Sequence, residues 1–212
     1  VTSRPLRVPA LVLVAAIGLA AGLAGCGATA TPSPTPSPSP AGASASPASP
    51  TPAPSVDLHG APDLEARLTT EIGGVELATV SLTGPDFLAT GSAAARSAFE
   101  GMLAELGSGP DDLALAQASD PSGALVFQEG LLRVAGADPT ELLTLWVASQ
   151  QAATQNRVRV SNTTVDGVDL TLVEDPTRPV GGRTYAFADG DTLVLILADD
   201  EALLSEALAA WA

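Results

Sequence analysis

The chain has 212 residues, nine arginines, no lysine and 24 carboxylates, for a formal net charge of −15. Every carboxylate falls from Asp57 onward, while Arg4 and Arg7 lie before it, so residues 57–212 set seven arginines against 24 carboxylates, a formal −17. That segment lacks the clustered cations that phosphate backbones and anionic headgroups attract, which excludes nucleic acid and a charged bilayer surface as its partners.

Residues 1–25 have the layout of an export signal. Arg4 and Arg7 form a short basic start, and an uncharged run of Leu, Val, Ala, Ile and Gly extends from Ala10 to Ala20 before small residues take over. The run is short for a helix that must cross about 30 Å of hydrocarbon, so a removed signal fits better than a retained anchor. The next residues, Leu23-Ala24-Gly25-Cys26, resemble the lipobox of bacterial lipoproteins, and Cys26 is the only cysteine in the chain. The resemblance implies that a diacylglyceryl group, built from fatty acids such as palmitate, joins the Cys26 sulfur before cleavage on its N-terminal side. The mature protein would then be held by that lipid on the extracytoplasmic face of the cell membrane. Two acyl chains, at about 0.8 kcal/mol for each buried methylene, hold where one would not. The resemblance covers the address and is silent on residues 57–212.

Residues 26–56 carry no charge and are crowded with Pro, Ser, Thr and Ala. Proline lacks an N–H and fixes φ, so repeats such as Thr-Pro-Ser-Pro favour an extended, disordered stalk over a helix or a sheet ladder. At about 3.1 Å per residue, the stretch 31–55 reaches at most roughly 80 Å. A spacer is the expected role; a PxxP ligand is the other reading, and the Ser and Thr residues suit O-glycosylation.

The remaining residues, 57–212, are expected to form one acidic α+β domain. Candidate strands in chain order are 75–82, 113–118, 124–127, 131–135, 158–163, 168–173, 184–187 and 192–197, with turns at Asp166-Gly167 and Asp189-Gly190. Three helices are expected. The first runs over 92–106, where Phe99, Met102, Leu103 and Leu106 share a face and Gly107 stops it. The second begins at Asp138-Pro139-Thr140-Glu141, an N-cap with proline at the first helical position, and carries Leu142, Leu145 and Trp146. The third begins at Asp199-Asp200-Glu201 and carries Leu203, Leu204, Ala207, Leu208 and Trp211.

Two stretches repeat. Ile72-Gly73-Gly74-Val75-Glu76-Leu77 lines up with Val165-Asp166-Gly167-Val168-Asp169-Leu170, and Ala124 to Phe127, a Glu-Gly turn, a strand and a helix line up with Thr184 to Phe187, an Asp-Gly turn, a strand and a helix. Such a duplication predicts a mostly antiparallel sheet with the three helices packed on one face. The run Leu193-Val194-Leu195-Ile196-Leu197 suits a central strand covered on both sides.

Chemistry is sparse. The absence of lysine excludes Ser-Lys dyads, Schiff bases and a P-loop lysine, and a single His59 with a single Cys26 cannot build a zinc site. His59 stands at the expected frayed start of the domain, where a general base would lack both an orienting partner and a walled pocket. Asp111-Asp112, Glu174-Asp175 and Asp189-Gly190-Asp191 could hold Ca²⁺, yet none has the twelve-residue loop of a dedicated site, and capped or solvated turns explain them. No catalytic residue, cofactor or metal is therefore expected. The expected function is a lipid-anchored, non-catalytic binding or interaction module. A carrier of lipid or another apolar ligand, with a cavity between sheet and helices, is the second reading. A carboxylate-dependent hydrolase is the third, although seven aromatic residues leave few for a sugar cleft.

Overall fold

A computed structural model describes residues 56–155 and 157–211. Cys26, the signal and the stalk lie outside the described residues. Nine strands form: β1 Glu71–Ile72, β2 Val75–Glu76, β3 Ala78–Thr83, β4 Leu113–Ser119, β5 Phe127–Val134, β6 Arg159–Val165, β7 Val168–Glu174, β8 Arg183–Asp189 and β9 Thr192–Ala198. Among the described residues five α-helices accompany them: α1 Pro62–Glu65, α2 Gly84–Thr90, α3 Ala93–Glu105, α4 Pro139–Ala153 and α5 Glu201–Ala209. The class is α+β, as expected. Seven strands make one antiparallel sheet in the order β3-β4-β5-β9-β8-β7-β6, and β1 pairs with β2 alone.

The predicted start signals operate. Asp138 accepts from the Thr140 N–H at 2.8 Å to cap α4, and Asp200 accepts from the Ala202 N–H at 2.8 Å to cap α5. Ser92 caps α3, and Gly107, at φ +67°, ends it by letting the Ser108 N–H reach back to the Leu103 carbonyl. Two short helices, α1 and α2, were not foreseen. α2 opens on Thr83, whose hydroxyl accepts from the Asp86 N–H, with Pro85 in the first turn. Thr-Gly-Pro-Asp is a legible helix start, hidden by its shortness.

The helices do not gather on one face. Phe127 and Leu131 of β5 and Val194 and Ile196 of β9 pack beneath α1 and α5; Leu132 and Val134 of β5 and Leu193 and Leu195 of β9 pack against α2, α3 and α4. Both alternations of the central strands are apolar, so each face needs a cover, and α5 supplies on one side what α3 and α4 supply on the other. The doubly covered β9 had been anticipated from its unbroken apolar run; the division of the helices follows from it.

The Glu-Gly turn between residues 127 and 131 is also corrected. Glu129 and Gly130 lie in the middle of β5, opposite Ala118 and Gln117 of β4 and Ile196 and Leu195 of β9. The chain reverses earlier, around Asp120, whose carboxylate accepts from the Leu125 and Ser122 N–H groups and from the Ser122 hydroxyl. Those donors, the Leu125 N–H foremost, hold the Asp120 carboxyl at about 2. The strand order is symmetric about the β5–β9 seam, with β4 and β3 on one side and β8 and β7 on the other, but the repeat of 124–134 against 184–195 does not hold, because 127–134 is one strand and the position of β8 is matched by β4. The turns at Gly73-Gly74 and Asp166-Gly167 do correspond, each with positive φ at both residues between paired neighbours. The helices break the symmetry, because α4 and α5 lie on opposite faces.

Candidate functional site

The two edges of the sheet are treated differently. At the β3 edge, residues 58–60 lie alongside the strand: the Ser81 N–H donates to the Leu58 carbonyl at 2.8 Å and the Gly60 N–H to the Ser81 carbonyl at 3.1 Å. His59 is therefore not frayed. Its Nδ1 lies 2.9 Å from Glu65 Oε1, and Glu65 also accepts the hydroxyls of Thr79 at 2.8 Å and Ser81 at 2.9 Å. The hydrogen bond that the ring donates to Glu65, then the charge of Glu65, raises the His59 pKa. The ring is 65 % exposed, and the Ser81 hydroxyl beside it is committed to Glu65 while accepting the Ala61 N–H at 3.0 Å. This cluster pins the chain to the sheet and leaves no free nucleophile.

A second polar cluster sits over the seam. Glu129, wholly buried, accepts the Thr69 N–H at 2.8 Å and the Trp211 indole N–H at 2.7 Å. Arg67 lies 5.1 Å above the Trp211 ring and donates to Asp189 at 2.7 Å and to the Thr192 hydroxyl at 2.6 Å. Arg133 pairs with Asp63 at 2.6 Å. Asp189 and Asp191, once weighed as cation ligands, thus serve arginines. Asp112 accepts the Gly109 N–H at 2.8 Å in the turn before β4. These groups tie α1 and the C-terminal residues to the sheet.

The β6 edge is open. Among the described residues β6 pairs with β7 alone, in unbroken register from Arg159 opposite Glu174 to Val165 opposite Val168. It contains no proline, glycine or lysine, and residues 159–162 are exposed, with Val160 at 38 %. Sheet edges are usually blunted by charged side chains, proline or a bulge; β6 carries one charge, Arg159 at its start, and neither proline nor a bulge.

Where β6 begins, a cleft of about 420 Å³ is lined by Arg159, Arg178, Arg183, Glu174, Asp175 and Asp199. Arg159, Glu174 and Arg183 stand in one row across β6, β7 and β8, and Arg183 Nε lies 3.5 Å from Glu174. The loop after β7 supplies the rest. The Asp175 N–H donates to the Gly182 carbonyl at 2.8 Å, and the chain folds so closely over Gly182 that a Cβ there would meet the Arg178 carbonyl at 2.4 Å. Each carboxylate has a local partner: Asp175 accepts the Thr177 N–H and hydroxyl, Asp199 accepts the Gly181 N–H, and Glu174 faces Arg183. The Thr177 hydroxyl is the main reason that the Asp175 pKa is lowered, with Arg157 and Arg178 adding charge. Among the described residues, the guanidinium groups of Arg159 and Arg178 make neither a hydrogen bond nor an ion pair, although the charge of Arg178 acts on the Asp175 carboxylate. Four of the domain's seven arginines lie between residues 157 and 183. Sequence reasoning passed over this grouping because Arg159 and Arg178 are nineteen positions apart and only the β6-β7-β8 pairing brings them together.

Among the described residues, no three of His, Cys, Asp and Glu are grouped to hold a metal, and no helix is long and apolar enough to cross a membrane. No protein-family model, curated protein or solved structure matches the chain.

Proposed function

We propose that this protein is a lipid-anchored, non-catalytic interaction module, held to the extracytoplasmic face of a cell membrane through Cys26 and presenting the β6 edge and its arginine-lined cleft to a protein partner. The observation that carries the reading is the contrast between the edges. The chain arriving from the stalk is bonded along β3, whereas β6, six strand spacings or roughly 29 Å away, is bare. The charged cleft adjoins that edge, and the guanidiniums of Arg159 and Arg178, which make no hydrogen bond among the described residues, suit recognition of an anionic group.

Two measurements test this. Radiolabelled palmitate should enter the protein, and Cys26→Ala should abolish labelling and leave the leader uncut. The full chain in detergent, immobilised and exposed to envelope extract, should retain a protein partner that cleft variants lose. Absence of label, or no retained protein at low and moderate salt, would overturn it.

A further inference from the structure

We infer that the open edge and the cleft form one site, which takes the C-terminal end of an extended, basic peptide: its main chain pairs antiparallel with β6 and its terminal carboxylate rests on Arg159 and Arg178. The inference rests on the interaction-module reading and names the partner's chemistry.

Three observations point the same way. First, an unbulged seven-residue edge strand leaves about half of its N–H and C=O groups facing outward, the template that β-strand addition uses. Second, the cleft stands at the N-terminal end of β6, where an antiparallel strand would finish. A strand finishing there brings its terminal carboxylate to a cleft lined by two guanidiniums that make no hydrogen bond among the described residues, while the neighbouring carboxylates accept local donors. Guanidinium forks match a carboxylate in shape and charge. Third, a domain with a formal −17 draws in cationic chains and repels acidic ones. The same repulsion acts between two copies, which disfavours β6-to-β6 pairing as the occupant of the edge.

The site is tested with the full chain in detergent micelles and an N-terminally fluorescein-labelled peptide of alternating valine and lysine, followed by anisotropy. The free acid should bind, and its C-terminal amide should bind about tenfold more weakly, as expected for loss of a charge-assisted contact. N-methylation of alternate peptide nitrogens should abolish binding, since it removes the main-chain donors. Arg159→Ala and Arg178→Ala should each bring the free acid down to the affinity of the amide; neither guanidinium gives up a hydrogen bond, and the amide comparison uses the unaltered protein. Equal binding of acid and amide, or indifference to N-methylation, would overturn the inference. So would a sedimenting dimer that the peptide fails to dissociate, which would assign the edge to a second copy. Retention of an envelope protein that is indifferent to Arg159→Ala would leave the interaction-module reading standing while removing this one. Retention of no protein, alongside binding of the labelled peptide, would remove the broader reading alone.

Discussion

Glu129, in the middle of the sheet, accepts the indole N–H of Trp211 from the chain's C-terminal end at 2.7 Å. The other carboxylate oxygen takes the Thr69 N–H, so one buried side chain fastens the segment before β1 and the segment after α5 to the β5–β9 seam. Replacing it by leucine would strand both donors, at about 1–3 kcal/mol for each. Glu129→Leu should therefore lower the midpoint of urea unfolding sharply, with Trp211 fluorescence reporting the loosened end.

The same residue gives a pH signature. Burial pushes its pKa above the ordinary 4.5, with the two N–H donors pulling the other way. A raised folded-state value means that its contribution is fully present below about 4.5 and is lost as pH rises through the folded value. Urea midpoints measured between pH 4 and 8 should carry a downward component that Glu129→Leu lacks.

Asp120 acts in the opposite direction. Its pKa is depressed to about 2, so its contribution is present above 3.8 and is lost as pH falls toward 2. Asp120→Asn should flatten the acid limb of the unfolding curve and loosen the β4–β5 turn, visible as faster hydrogen exchange at the Leu125 N–H.

Two glycines should respond oppositely to alanine. At Gly84 a Cβ would lie 2.1 Å from the Pro110 carbonyl oxygen and 2.7 Å from Leu113 Cβ, a backbone approach that cannot yield cheaply. At Gly101, exposed within α3, a Cβ meets nothing within 4 Å. Gly84→Ala should cost about 3 kcal/mol, while Gly101→Ala should add about 0.5–1 kcal/mol through helix propensity. Denaturant titration of the two variants side by side decides both.

Local signals carried much of the fold. Caps at Asp138 and Asp200, the stop at Gly107 and the Asp166-Gly167 turn each depend on a few neighbouring residues and stand where the sequence places them, and the turn expected at Asp189-Gly190 forms one residue later, at Gly190-Asp191. Glu129-Gly130 misled because a buried carboxylate beside a glycine has the composition of a turn. Its acceptors are satisfied by Thr69 and Trp211, sixty and eighty-two positions away, and no local pattern announces that. The cleft was hidden for the same reason. Arg159 and Arg178 look like ordinary surface cations until the strand order sets them side by side.

The bonds between residues 58–60 and Ser81 have a mechanical meaning. Tension drawn along the chain from its N-terminal side loads the Leu58 and Gly60 contacts with Ser81 and the His59–Glu65 pair before it loads any ladder of the seven-stranded sheet. That short stretch can give way and re-form like a fuse. Force applied at residue 56 would then release residues 58–60 while the sheet keeps its shape.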